Sequence, residues 1–251
     1  MTLGIILFAK DESVVIVSDK RITSGMGTMS AHGDLVQKIH RVNDYCGLTI
    51  AGDGGIAVTI VQLFLKEIAS RGNDISVSEA AETFRRIAVE NYEKWFGQIP
   101  IEKWTQNMLD TNRSLPHFTV LVAGFERDDK GNLAERKLIE LNAYRRFAPQ
   151  TNSANFGVIG VTTISQYLLY RFYNMPDKDI DITAGLASLC IQETNSQDDS
   201  VGDEFQIATF SKDKPFQFYS EDKLELIKQR CAEMKNDFET ALYAVKVREQ
   251  P

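Results

Sequence analysis

The residue in this chain whose chemistry stands out is the second. Thr2 follows Met1 directly, and threonine is small enough for an initiator methionine to be removed before it. Removal would leave one residue carrying both a hydroxyl and a free α-amine, a pair that can act together as nucleophile and general base. The amine ordinarily titrates near about 7.7–8.0. A neighbouring lysine ammonium would lower that value by like-charge repulsion and make the free base commoner. Taken alone, a Met-Thr start is only a start. Other catalytic and cofactor patterns are missing: there is no P-loop, no GxSxG elbow, no HExxH helix and no dinucleotide glycine fingerprint. Asp177, Asp179 and Asp181 alternate as in a calcium loop, but Ile182 stands where that loop requires glycine. His32, His40 and His117 lack ligand spacing, and His40 is expected to pack or hydrogen-bond on its strand face. No metal and no cofactor is therefore expected.

Composition narrows the classes further. The 251 residues are 43% hydrophobic and 25% charged, which suits a globular chain and not a disordered one. Lys and Arg number 28 against 35 Asp and Glu, a formal net charge of −7. That balance disfavours nucleic-acid binding and adhesion to anionic membranes. Cys46, Cys190 and Cys231 are scattered and odd in number, which suits a reducing compartment. The amino end has no basic region before its short apolar run, so no signal peptide is expected. The longest apolar stretch, 56–65, is interrupted by Thr59 and Gln62 and is far short of the ~20 residues needed to span a bilayer. The sequence reads as a soluble, cytoplasmic protein. In that compartment the glycosylation pattern Asn112-Arg113-Ser114 has no meaning.

Strand patterns fill the first fifty residues, over 3–9, 14–17, 38–42 and 46–51, with turns at Asp11-Glu12 and Asn43-Asp44. A Gly- and Ser-rich stretch at 24–33 reads as a loop. Helical periodicity follows over 56–69, and Ser76 with Glu79 forms a capping-box pattern before a second helix reaching about 95. Residues 97–114 read as an irregular insertion. Strands are expected again at 118–125, 137–142 and 155–159, helices at 165–173 and 182–194, and a hairpin at 204–210 and 216–219. The tail from 221 reads as one amphipathic helix with Leu224, Ile227, Cys231, Met234, Phe238, Leu242 and Val245 on its apolar stripe. Strands in blocks, not alternating singly with helices, point to two antiparallel sheets face to face with helices outside.

Several segments in fixed order carry a resemblance. They are V-I-V-S-D-K-R-I-T-S-G (Val15 to Gly25), K-I-H-R-V (Lys38 to Val42) and L-T-I-A-G-D-G-G (Leu48 to Gly55), all after Thr2. Weaker matches continue through F-T-V-L-V-A-G-F (Phe118 to Phe125), 157–169 and S-V-G-D-E-F-Q-I (Ser200 to Ile207). The succession resembles the proteasome β-subunit family of N-terminal nucleophile hydrolases, including bacterial proteasome-like peptidases. The resemblance implies an α+β, four-layer αββα sandwich formed by one domain over residues 1–251, with 221–251 as a helical extension. It places Thr2 on the nucleophile, Asp19 on the aspartate of the second strand, Lys38 on the lysine beside the nucleophile and Gly52 on the oxyanion-hole glycine. It implies peptide or unfolded-protein substrates and a homo-oligomeric ring, and leaves any ATPase partner open.

The chain departs from the family pattern in named places. The stretch between Asp19 and Lys38 is longer than usual. Asp198 sits at the expected supporting aspartate, but Val201 occupies the supporting serine column, with Ser200 one residue early. The 97–114 insertion and the terminal helix are additional. No propeptide is expected before Thr2. Two other functions stand beside the threonine peptidase: a catalytically inactive ring subunit, motivated by Val201, and an amidase acting on a small metabolite. The terminal helix admits two partners, its own domain or a neighbouring subunit.

Overall fold

Two strands of almost unbroken apolar sequence set the centre of the molecule. β1 (Leu3–Phe8) and β2 (Val14–Asp19) are buried at every residue. Asp11 and Glu12 turn one into the other with φ of 56° and 55°, the left-handed pair that a tight hairpin with native twist requires. The structure is a computed structural model describing residues 2–26, 29–33, 36–97, 116–173 and 178–244, with the side chains of 22–26, 29–33, 234, 235 and 237–244 left out. Apart from Gly97, which closes a helix, the expected insertion at 97–114 lies outside the described residues.

β3 (Ile22–Met26) and β4 (Met29–Gly33) follow, then β5 (Ile39–Asn43) and β6 (Cys46–Gly52). α1 (Gly54–Ile68) begins within the glycine cluster, capped by Asp53, whose side chain accepts from the Ile56 N–H. α2 (Val77–Phe96) starts at the expected capping box: the Ser76 hydroxyl takes the Glu79 N–H while the Glu79 carboxylate takes the Ser76 N–H. β7 (Phe118–Arg127), β8 (Leu133–Asn142), β9 (Gln150–Thr151) and β10 (Phe156–Gly160) come next. α3 (Thr163–Phe172), α4 (Ile180–Asn195), β11 (Phe205–Phe210), β12 (Gln217–Phe218) and α5 (Glu221–Ala244) complete the chain.

The main strands form two antiparallel five-stranded sheets, ordered β10-β1-β2-β11-β12 and β5-β6-β7-β8-β9. Their inner faces meet through Ile6, Phe8 and Ile16 from one sheet and Leu121, Ala123 and Leu138 from the other. α1 and α2 cover the outside of the second sheet, where Phe64 and Phe84 pack edge to face at 5.2 Å. α3, α4 and α5 cover the first. This is the four-layer αββα arrangement expected from the order of elements. β1 and β2 are apolar on both faces for that reason: one face meets the opposite sheet and the other meets helices. Burying a Leu, Ile or Phe contributes about 1.5–3 kcal/mol, so these strands anchor both interfaces.

Two expectations need correction. Residues 24–33 are not a loop, because β3 and β4 pair antiparallel from Ile22↔Gly33 to Met26↔Met29 as a ribbon outside both sheets. Backbone pairing in a two-stranded ribbon needs no alternation of apolar side chains, so the Gly- and Ser-rich composition hid it. The helix expected over 56–69 begins two residues earlier, at Gly54, and ends at Ile68. On the terminal helix, Leu224, Ile227 and Cys231 are buried against α4 and β11 of their own domain. The side chains of Met234, Phe238, Leu242 and Val245 lie outside the description. Asp179 caps α4 through the Ile182 N–H, and Asp181 pairs with Lys223 of α5 at 2.8 Å, so two of the three alternating aspartates serve the fold.

Because the Ser76–Glu79 box satisfies two otherwise orphaned N–H groups, Ser76→Ala should lower stability to urea by about 1 kcal/mol with an unchanged m-value.

Candidate active site

Pairing in the first sheet puts the start of β1 beside the end of β2. Gly4 lies opposite Ser18, so Thr2 and Asp19 fall at the same end of the sheet. The second sheet delivers Lys38 just before β5, where its carbonyl accepts the Ile50 N–H of β6. The three side chains therefore meet at strand ends of the two sheets, although 36 residues separate Lys38 from Thr2.

Lys38 Nζ donates to Thr2 Oγ1 at 2.8 Å and to Asp19 Oδ1 and Oδ2 at 3.1 and 3.0 Å. It also donates to the Arg21 carbonyl. All three ammonium protons thus have acceptors, with one shared across the carboxylate. Asp19 is fully buried and Lys38 is 3% exposed. Such a charge pair persists in the interior only if its remaining hydrogen-bonding capacity is filled. Asp19 fills its own with the N–H groups of Leu3 (2.8 Å), Arg21 (3.1 Å) and Gly202 (3.2 Å). With the ammonium on its Oγ1, the Thr2 hydroxyl must aim its own proton elsewhere.

The Thr2 carbonyl is held by the Val161 N–H at 3.0 Å. Gly160, at φ +92°, passes so close that a Cβ there would sit 1.6 Å from the Thr2 carbonyl oxygen. The same Cβ would lie 3.3 Å from Ala51 Cβ, so the end of β6 reaches the threonine as well. Gly52, the next residue, is exposed and has φ +120°. A Cβ there would come within 2.3 Å of the His117 carbonyl and 2.6 Å of Phe118 Cα. Glycine is required at this place by the backbone turn and the neighbouring strand, before any demand from a substrate.

The turn after α4 carries the last two expected residues. Asp198 Oδ1 accepts both the N–H of Ser200, at 2.9 Å, and its hydroxyl. These two bonds hold the Asp198 carboxyl below its usual range, the hydroxyl contributing more than the N–H. Val201 is fully buried in the core beneath β1 and β2, so its column is structural and Ser200 is the hydroxyl beside Asp198. The turn reaches the charged pair through Gly202, whose N–H donates to Asp19. Among the described residues, Thr2, Asp19 and Lys38 are joined directly, whereas Asp198 and Ser200 reach them through their turn, which Gly202 and the Arg21 side chain bond to the pair.

Three contributors escaped the sequence reading: the Arg21 carbonyl, Gly160 and Gly202. Backbone groups leave no residue-type signal, and Gly160 is one of several glycines between Gly157 and Gly202. Of the described histidine side chains, neither His40 nor His117 takes part in this network. His40 Nε2 has no hydrogen-bond partner, and burial pushes its imidazole down to about 4. It packs, and does not bond, on its strand. His117 stacks on Tyr144 at 3.6 Å, and burial lowers its pKa too.

A family model described as Proteasome subunit matches residues 4–139, more than half of the chain. The chain belongs to the proteasome subunit family. A proteasome subunit beta from Methanocaldococcus fervens is 27% identical in an alignment 146 positions long that covers 54% of this chain and 55% of that one. The chain thus matches about half the length of this curated relative. Among solved structures, Anbu (ancestral beta-subunit) from Yersinia bercovieri superposes with a TM-score of 0.72 at 13% identity over 99% of this chain and all of that one. Anbu from Hyphomicrobium sp. strain MC1 gives 0.69 at 13% identity with the same coverage. These likenesses show the fold alone, two antiparallel sheets between layers of helices. Among the described residues no helix is long and apolar enough to cross a membrane.

Two predictions follow from burial. Val201→Ser replaces buried methyl groups with an unpartnered hydroxyl and should cost about 1–3 kcal/mol in urea unfolding. His40 binds its proton less readily folded than unfolded, so it opposes folding increasingly as pH falls from about 6.5 to about 4. His40→Leu should remove a loss on the order of 2 kcal/mol across that window, read from denaturant midpoints at pH 7 and pH 4.5.

Proposed function

We propose that the chain is a threonine-type peptidase whose nucleophile is Thr2, exposed by removal of Met1. The observation that carries this reading is the 2.8 Å hydrogen bond from a carboxylate-anchored Lys38 ammonium to the Thr2 hydroxyl. In this mechanism Thr2 Oγ attacks the carbonyl carbon of a peptide bond while the Thr2 α-amine takes the hydroxyl proton. Lys38 stabilises the developing alkoxide and, by like-charge repulsion, keeps the amine in its free-base form. Asp19 keeps Lys38 aimed. The Gly52 N–H serves the oxyanion of the tetrahedral intermediate, a role in which one donor typically contributes about 2.7–4 kcal/mol. The amine then gives its proton to the leaving nitrogen, and water, deprotonated by the same amine, hydrolyses the acyl-enzyme. Asp198 and Ser200 support the amino end from the turn after α4. The substrates are peptides or unfolded proteins, and the working assembly is a homo-oligomeric ring, as the family implies.

The N-terminal mass and the turnover of fluorogenic peptides test the reading together. Processed protein should lack Met1 and cleave peptides in preference to small amides. Thr2→Ala should fold normally and lose activity by about 10³-fold or more. Retained Met1 in purified native protein, or full turnover by Thr2→Ala, would overturn the mechanism.

A further inference from the structure

Arg21 touches every side of the charged pair, and the peptidase mechanism uses only its carbonyl. Its N–H donates to Asp19 Oδ2 at 3.1 Å, and its carbonyl accepts from Lys38 Nζ. Its guanidinium runs the other way, to the turn after α4. There Nη1 donates to the carbonyls of Asp199 at 3.0 Å and Val201 at 3.2 Å, while Nη2 lies 3.7 Å from the Asp203 carboxylate. Gly202 closes the circuit by donating its N–H back to Asp19 Oδ2 at 3.2 Å. The path from Asp19 through Gly202, the turn, Arg21 and Lys38 to Asp19 is thus a closed ring of bonds. Ser200 sits on its arc. The guanidinium ties that arc to the charged pair, and the Asn195 side-chain amide, donating to the Val201 carbonyl at 2.7 Å, ties it to α4.

We propose that Arg21 is a positioning residue of the peptidase described above: its guanidinium fixes the turn carrying Ser200 and the Gly202 N–H against the Asp19–Lys38 pair. The inference rests on that functional reading and adds to it the part that sets the geometry of the support. The chemistry of the side chain fits. A planar guanidinium can span two carbonyls two residues apart, whereas a lysine ammonium reaching the same place is a single point charge on a flexible stem. The Asp203 contact is a minor partner, since that carboxylate is 71% exposed and solvent screens it. Loss of the guanidinium leaves the Arg21 backbone bonds and the Lys38–Thr2 contact in place. What loosens is the turn, and a supporting group displaced by about 1 Å can cost on the order of 10²-fold in rate.

The test uses full-length protein whose processed amino end has been verified by mass, labelled with a peptide epoxyketone that needs both hydroxyl and amine of an N-terminal threonine. Arg21→Ala should label to the same final fraction as wild type, with a rate constant about 10- to 100-fold lower. Millimolar guanidinium ion should restore several-fold of that loss, Arg21→Lys should remain slow, and Asp203→Asn should match wild type. Amide exchange at Gly202 should quicken in Arg21→Ala. A purely structural arginine would instead lower the labelled fraction and leave the rate constant unchanged. That result, or wild-type rate and exchange in Arg21→Ala, overturns the proposal. If Arg21→Ala does not fold, Arg21→Lys carries the same test, and labelling at the wild-type rate then overturns it. Wild-type protein that fails to label after Met1 removal overturns the peptidase reading itself, and the tie of the turn then stands or falls on Gly202 exchange alone.

Discussion

A lysine ammonium and an aspartate with almost no access to water hold one end of this molecule together. Each charge is costly to bury, and each is tolerable only because the other is there and every remaining donor and acceptor is used. Asp19 gathers N–H groups from the start of β1, from its own strand's exit and from the turn after α4. Lys38 brings in the second sheet and places its remaining proton on Thr2 Oγ1. Four segments distant in sequence are pinned to one point by a single ion pair, so the site and the fold share that constraint. Removing either partner would leave an uncompensated buried charge, at a typical cost of about 3–5 kcal/mol.

The surroundings are shaped to keep that point narrow. Gly160 lets its strand pass against the Thr2 carbonyl, and Gly52 turns the end of β6 with a backbone conformation that side chains resist. Gly52 lets β6 and β7 close up at their ends, and Gly160 does the same for β10 and the start of β1 while lying near Ala51 of the other sheet. The long aliphatic walls of β1 and β2, buried on both faces, keep those ends from drifting. The turn after α4 is less firmly built, since Asp198 and Ser200 are bonded mainly to each other. Arg21 joins it to the charged pair, while Asn195 and the buried Val201 join it to α4 and the core.

Much of this was legible in the residues. The capping box at Ser76, the acidic turn at Asp11-Glu12 and the three-four spacing of Leu224, Ile227 and Cys231 are local signals, and each appears where local physics puts it. The β3–β4 ribbon was missed because its Gly- and Ser-rich segments bear the composition of a loop, and backbone pairing leaves no trace in side-chain pattern. Val201 and Ser200 could not be told apart by spacing, because only burial reveals which of two neighbours faces the core. The family resemblance places Gly52 on the oxyanion-hole glycine, and the structure supplies a prior reason for glycine in the His117 carbonyl beside it.

By itself the sequence determined the periodicities, the order of the strands and helices that carry an apolar pattern, and the presence of a threonine, an aspartate and a lysine in an order shared with the proteasome subunit family. These are properties of neighbours along a chain, and short-range sterics and hydrophobic pattern suffice to write them. Only the tertiary structure decided that Lys38 would lie 2.8 Å from Thr2, and that Ser200 and not Val201 would stand beside Asp198. It also decided that a carbonyl and two glycines would complete the site. Those outcomes depend on the register of two sheets and on what each buried group finds to bond, quantities that exist only once distant segments have been packed together.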